Sequence, residues 1–314
     1  MGSLVLSAED RKVLLADLQS VYDEHRYLDA YRLSAQYWSP STDLMDLSAE
    51  ELIFAGRLAS RLGGFRVSRH LYRTARERQP ELPIVRYFTR NFNGPRHLLL
   101  DELLEFEKKP DLGGDDDHLR ASWLASYAYT YGTLRDFSRA TELMEQAHAL
   151  SPGDAWLHSL ESDVLGMADR WTDARQIAER GCQADPRSPW PVLSLATSLL
   201  NLGEIREAVA VSSRAAEKSQ FFQIVLTACW YHCALAETSQ GAERSEALEA
   251  ARELAERVEP MTPLADREFK VLGARTWLDI SELADDHSYG VLVRRSSFAF
   301  PSQGSGQLAG KSGR

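Results

Sequence analysis

The chain has 314 residues, of which 44% are hydrophobic and 26% charged, which is ordinary for a folded domain or a repeat protein. The net charge of −10 argues against a general affinity for nucleic acid or anionic membranes, since both reward clustered Lys and Arg. Three cysteines give no disulfide framework. Because neither a basic leader nor a run of about 20 apolar residues is present, we expect a cytoplasmic protein that does not bind membranes.

The first forty residues predict an atypical helix pair after a disordered start. Ser7 is placed to cap a helix with Asp10 at its third position, and apolar residues from Val13 to Val21 follow on one face. A second helix is predicted over 26–35, before Pro40. An outermost unit is expected to deviate from the others because one of its faces meets water.

The next unit carries the clearest local signals. Ser48 and Glu51 are spaced as a capping box at a helix start. Gly56 falls inside the predicted helix, where glycine costs about 1 kcal/mol relative to alanine, so we expect a close approach of another helix there. Gly63 and Gly64 predict the turn, and Pro80 ends the unit.

A third unit is predicted over 81–114, with one helix through Ile84 and Phe88 and a second over 97–104. The polar stretch 108–117 is predicted to be an exposed loop and a hinge. The acids Asp115–Asp117 lack the spaced ligands and the glycine of a calcium loop, so we interpret them as part of a solvated loop.

The stretch from 121 to 220 contains an internal repeat. Ala140, Ala174 and Ala208 are separated by two equal steps of thirty-four residues, and Pro152 and Pro186 keep the same step. Small residues at a fixed period allow helices to cross closely, and a proline ends the helix before it. Each period therefore predicts two helices joined by a turn, stacked upon the next pair.

Beyond Gln220 the pattern continues with an enlarged turn predicted at Thr238–Arg244. A last amphipathic helix is predicted over Thr262–Ala284, where it would cover the open end of the stack. Residues 285–314 become rich in Gly, Ser and Lys, so we expect a disordered tail.

The residues at the repeated positions, such as Tyr131, Ala140, Ala147 and Pro152, resemble the pattern of the tetratricopeptide-repeat (TPR) family. The resemblance implies an all-α fold, an α-solenoid of stacked antiparallel helix pairs with a concave groove that holds a peptide or a partner helix. It implies no catalysis and no cofactor. We expect helix pairs over 1–110, further repeats with the capping helix over 118–284, and the tail over 285–314.

A second resemblance concerns bacterial proteins that join such repeats to a C39-type cysteine peptidase domain. It is carried by Arg135–Ala140, Ala149–Pro152 and Ala184–Trp190. The catalytic residues of that family lie outside its repeats, so none can be assigned to this chain. The alternative function it implies is that of a substrate-recognition or regulatory half of a peptidase-type enzyme.

The candidate chemical groups favour structural roles. Cys229, His232 and Cys233 lie within one helical turn, but a zinc site wants a second pair of ligands, which the sequence lacks. Cys182 has no nearby histidine in sequence to act as its base. The hypothesis of a hydrolase with Cys182 or Cys229 as nucleophile stays open. It predicts rapid labelling of that cysteine in the native protein by a thiol reagent.

Aromatic side chains that recur along the repeats are the candidate anchors for a partner. Trp156 and Trp190 open their repeats, and with Tyr129 and Arg57 they form the predicted partner-binding set. Arg57 could bind a carboxylate. The alternative for the aromatics is packing between repeats. The sequence thus predicts a non-enzymatic scaffold for a protein or peptide partner, with self-association also open, and no metal or cofactor.

Overall fold

The computed structural model describes residues 8–35, 46–90 and 113–265. Thirteen α-helices lie in these ranges, and none of the residues described is in a β-strand. None of these helices is long and apolar enough to cross a membrane. In chain order they are α1 Ala8–Asp23, α2 Tyr27–Ser34, α3 Ala49–Arg61, α4 Phe65–Arg78, α5 Pro83–Thr89, α6 Asp117–Thr133, α7 Phe137–Leu150, α8 Ala155–Met167, α9 Trp171–Ala184, α10 Pro189–Asn201, α11 Ile205–Lys218, α12 Phe222–Thr238 and α13 Gly241–Val258.

The central helices pack as consecutive pairs. Helix α6 packs on α7, α8 on α9, α10 on α11 and α12 on α13, and the first helices of neighbouring pairs also contact each other. Ala140, Ala174 and Ala208 are fully buried, as close helix crossings require. At one crossing the Ser162 hydroxyl donates to the Ala174 carbonyl at 2.8 Å. The predicted all-α, TPR-like solenoid of helix pairs is confirmed.

The turns inside three pairs share one backbone conformation. Arg135, Asp169 and Gly203 have φ values of 68°, 60° and 82°, and they keep the thirty-four-residue step. The next N–H bonds a carbonyl five residues back, as Asp136 N does to Tyr131 O at 2.9 Å. This bond satisfies a carbonyl at the helix end. Glycine adopts this left-handed conformation readily, whereas Arg135 and Asp169 adopt it as non-glycine residues.

The local signals of the second unit are confirmed. Ser48 and Glu51 form both bonds of a capping box at the start of α3. A Cβ atom on Gly56 would overlap the Tyr72 ring of α4, so glycine is needed where these two helices meet. Gly63 has a φ of 80° in the turn between them.

The N-terminal helices fold back onto the C-terminal repeats. The amide of Leu264 donates to the Leu62 carbonyl at 3.3 Å, and His25 Nε2 lies 3.5 Å from the Asp185 carboxylate. One hydrophobic cluster spans both regions, so the ends of the described solenoid share a core. Its buried members include Leu18, Tyr22, Tyr27, Phe54, Leu58, Leu62, Leu193, Phe221, Phe222, Ile224, Val225, Cys229, Ala251 and Met261.

A side chain from the distant repeat caps α2. The residue before α2, Arg26, supplies no capping hydrogen bond. Instead Gln220 Oε1 accepts from the amides of Leu28 at 3.0 Å and Asp29 at 3.3 Å, while Gln220 Nε2 donates to the Asp29 carboxylate at 3.0 Å. The first-turn amides of α2 are therefore satisfied by a residue almost two hundred positions away in sequence.

Two sequence-based expectations are wrong. The acidic run is exposed, as expected, but it is not all loop, because Asp116 caps α6 by accepting from the Leu119 amide at 3.0 Å and Asp117 is the first helical residue. The turn predicted at Thr238–Arg244 is not enlarged either. The extra residues lengthen α12 to Thr238 because no glycine or proline stops it.

Several predictions lie outside the described residues. These are the cap at Ser7, the second helix of the third unit over 97–104, most of the capping helix predicted over Thr262–Ala284 and the tail over 285–314. The first residues of that predicted helix, 262–265, are described and are not helical. The proposed hinge falls mostly outside as well. The division near residue 110 stays a prediction.

Candidate partner-binding groove

An aromatic row crosses the first helices of the repeats. We use this name for Trp156 of α8, Trp190 of α10 and Phe221, which immediately precedes α12. The rings of Trp156 and Trp190 meet edge to face with centroids 5.1 Å apart, and Trp190 meets Phe221 in the same way at 5.2 Å. Both tryptophans are half-buried, so each keeps part of its ring available for contact.

Local sequence fixes where the two tryptophans lie. Asp154 caps α8 and accepts from the Trp156 amide at 2.8 Å, which places this indole in the first turn. Pro189 begins α10 and sets the same position for Trp190. The thirty-four-residue step between the two residues then brings their rings together on adjacent first helices.

The N-terminal helices close one end of the aromatic row. Tyr27 packs edge to face on Phe221 at 5.5 Å, and the Arg61 guanidinium lies 4.5 Å from the Trp190 centroid and 5.3 Å from that of Phe221. Arg57, one turn earlier on α3, lies 4.8 Å from the Tyr22 ring centroid. These contacts join the aromatic row to α1, α2 and α3.

Arg57 and Arg61 share a tyrosine as partner. Both guanidinium groups bond the Tyr22 hydroxyl; burial raises the pKa of Tyr22, but the two arginines outweigh this and hold it below its usual value. Among the described residues, no carboxylate forms an ion pair with either arginine, and the Nε of Arg61 is buried without a hydrogen-bond partner. The cationic groups are therefore supported mainly by aromatic rings.

A polar row lies on the same helices. We use this name for Tyr129, Asp163, Thr197 and Tyr231, which are spaced by thirty-four residues from α6 to α12. The Thr197 and Tyr231 hydroxyls lie 3.1 Å apart, and Ser194 donates to Asp163 at 3.0 Å. Burial raises the pKa of Asp163 to about 7, although the Ser194 bond favours the ionised form. This carboxyl changes charge near neutral pH.

The structure brings most of the predicted site residues to this region. Trp156 and Trp190 are in ring contact, and Arg57 is connected to Trp190 through Tyr22 and Arg61. Tyr129 belongs to the polar row and packs on the core of α6 and α7. Sequence analysis missed Asp163, although the thirty-four-residue step from Tyr129 to residue 163 could have found it. That these residues bind a partner stays a prediction.

The cysteines do not resemble activated nucleophiles. Burial, with a contribution from Glu179, raises the pKa of Cys182 to about 11. The pKa of Cys229 lies well above its usual value because of a hydrogen bond with Cys233 and burial, and its thiol donates to the Ala251 carbonyl at 3.3 Å. At neutral pH these thiols are protonated, and a thiol is a poor nucleophile compared with a thiolate.

Comparison with known proteins finds solved structures of similar fold. No family model and no curated protein matches the chain. A solved tetratricopeptide repeat protein from Parabacteroides merdae is similar over 81% of this chain and 98% of its own, with 12% identity and a TM-score of 0.44. The TPR2AB domain of yeast Sti1, solved as a complex with pHSP90, is similar over 89% of this chain and 100% of its own, with 16% identity and a TM-score of 0.33.

These likenesses concern helical-repeat architecture alone. The class of protein follows from this chain's own helix pairs, its thirty-four-residue step and its buried alanines: it is an all-α solenoid of stacked helix pairs with a TPR-like architecture. The resemblance to repeats joined to a C39-type peptidase stays a prediction, as does a cytoplasmic location.

Proposed function

We propose that the chain is a non-enzymatic scaffold that binds a segment of a protein partner along the aromatic and polar rows. The observation that carries the proposal is the edge-to-face pair of half-buried indoles, Trp156 and Trp190, on adjacent first helices. Rigid aromatic rings make effective anchors because they offer a large contact area at a small entropic cost.

The polar row supports the proposal because it extends over the helices that carry the two indoles. Hydroxyls at Thr197 and Tyr231 and the Asp163 carboxyl can bond the backbone or polar side chains of a segment whose apolar side chains contact the tryptophans. Micromolar affinity is the expected order for a segment of modest buried area.

A site-specific crosslinker tests the location of binding. A photoreactive phenylalanine analogue replaces Tyr129 in the full chain, and the matched control replaces Phe137, a half-buried aromatic residue of the second helix α7. We expect partner crosslinks from position 129 that map to one segment of one protein. Crosslinks from position 137 alone would contradict binding at the rows.

A pair of tryptophan substitutions tests the anchor. Trp156→Ala removes an indole of the aromatic row, whereas Trp171→Ala removes a half-buried indole from the second helix α9. Both truncations cost packing, so comparable losses of stability are expected. Binding of the crosslinked partner should fall at least tenfold in Trp156→Ala and stay near the parent value in Trp171→Ala. Equal losses in both variants would refute the role of Trp156.

A further inference from the structure

A cluster of two histidines and a glutamate lies between neighbouring repeats. His148 is in the last turn of α7, while His158 and Glu161 are on α8. His148 Nε2 lies 2.9 Å from Glu161 Oε2, and the two imidazole centroids are 4.8 Å apart. One donor atom from each residue lies within 4.8 Å of the other two.

The contacts of His158 are incomplete. Its Nδ1 is buried and, within the described ranges, has no hydrogen-bond partner. A buried polar nitrogen without a partner costs free energy, and native structures rarely leave one unmatched. The contact between His148 and Glu161 explains the position of those two side chains. It leaves the Nδ1 atom of the neighbouring His158 without a partner.

The surroundings hold His158 beside the pair. Gly181 of α9 leaves room for it, since a Cβ atom there would lie 2.9 Å from the His158 Cβ. The nearby charges are those of Asp154 and Arg180, besides Glu161 and the His148 ring. His148 and Glu161 also line a cleft of about 520 Å³ that opens between α7, α8 and α9, so an ion at the cluster could keep a water or another ligand.

We propose that His148, His158 and Glu161 form a binding site for a divalent transition-metal ion, with zinc as the ion that tests it. Imidazole and carboxylate are ligands that zinc accepts at about 2.0–2.2 Å, and three protein ligands with one open position make a recognised zinc arrangement. Tetrahedral ligation at those lengths sets donor atoms about 3.4 Å apart. A donor pair at the widest separation of 4.8 Å would therefore have to close by about 1.4 Å, and the 2.9 Å contact between His148 and Glu161 would have to open by about 0.5 Å.

Such an ion would join two repeats. His148 ends the second helix of one pair, whereas His158 and Glu161 belong to the first helix of the next, across the turn that contains Ser151 and Asp154. The cysteines are excluded from the proposal because none belongs to the cluster found among the described residues.

Zinc binding to the full chain is the first test. Metal-free protein is dialysed against zinc with a competing chelator, and bound metal is measured by atomic spectroscopy. We expect one zinc per chain at micromolar affinity or tighter, weakened at least tenfold in His158→Ala and in Glu161→Gln. His70→Ala, which changes an exposed histidine of α4, should bind as the parent does. Zinc retained by His158→Ala, or no zinc retained by the parent, would overturn the proposal.

Two measurements on the unsubstituted chain guard against variants that fail to fold. Acylation of histidines, located by mass spectrometry, should slow at His148 and His158 when zinc is added, with no change at His70. Cobalt bound in place of zinc should give ligand-field bands without a thiolate charge-transfer band, because nitrogen and oxygen ligate. An unprotected His158, or a thiolate band, would place the metal elsewhere and refute the site.

Discussion

The guanidinium of Arg61 lies over the indole of Trp190, with its central carbon 4.5 Å from the ring centroid. This contact joins α3 to α10 and belongs to the surface on which the N-terminal helices close against the repeats. Arg61 contacts aromatic rings, and among the described residues no carboxylate forms an ion pair with it. The closure therefore depends on desolvated aromatic packing, which salt screens much less than a surface ion pair.

Arg61→Ala should lower the free energy of unfolding by about 2 kcal/mol, because it removes both a desolvated cation–π contact and the packed stem of the side chain. Denaturant titration followed by tryptophan fluorescence measures the change. Arg206→Ala is the control, since Arg206 is exposed and pairs with Glu243 at the surface, and its effect should be small. Equal effects would mean that Arg61 does not hold the closure.

Gln220→Ala should cost roughly 1–2 kcal/mol because it leaves the first-turn amides of α2 without their acceptor. The amides of Leu28 and Asp29 should then exchange faster with deuterium than in the parent. Gln183→Ala, at an exposed position of α9, serves as the control. Unchanged exchange at Leu28 and Asp29 would show that water replaces the Gln220 cap at no cost.

Gly181→Ala should destabilise the chain by about 1–3 kcal/mol through overpacking. A Cβ atom at this position would lie 2.9 Å from carbon atoms of both His158 and Pro191, which cannot both move aside easily. Gly153→Ala is the matched control, because nothing lies within 4 Å of the added carbon. Thermal unfolding of both variants measures the difference, and similar midpoints would contradict the close helix approach at Gly181.

Asp163 should make stability fall as pH rises toward neutrality. Its carboxyl has an ordinary pKa of 3.8, raised to about 7 in the folded chain, so between these values the folded state holds a proton that the unfolded state has lost. The contribution of this group is therefore most favourable below about pH 4 and declines until about pH 7. Asp163→Asn should raise the melting temperature more at pH 8 than at pH 5. A constant difference across this range would show that the carboxyl does not titrate there.

Thiol reagents should label the native protein slowly. Cys182 has a pKa of about 11, and the thiol of Cys229 is fully buried with a pKa well above its usual value. Labelling at neutral pH should become fast only in denaturant, because reaction needs an accessible thiolate. Rapid labelling of Cys182 in the folded chain would instead revive its role as a nucleophile.

The sequence by itself determined the repeat. The buried alanines at 140, 174 and 208 follow a period that local chemistry enforces, since only small residues allow helices to cross that closely. The same holds for the capping box at Ser48 and the left-handed turn at Gly203, whose causes lie within a few residues. The edge contact of Trp156 with Trp190 also follows from the period, because residues one repeat apart stack on adjacent helices.

Only the tertiary structure decided which distant residues meet. The cap of α2 by Gln220 and the contact of Arg61 with Trp190 join residues whose spacing follows no local rule. His158 and Glu161 are neighbours on one helix, but the structure decided that His148 of the preceding helix joins them. The extent of α12 and the cap at Asp116 have local causes that the polar character of those stretches concealed, since no glycine or proline stops α12 before Thr238 and Asp116 accepts from the amide three residues on. A period sets the neighbours within a stack of repeats, but the curvature of the whole stack sets how its ends meet, and that curvature sums many small rotations between repeats.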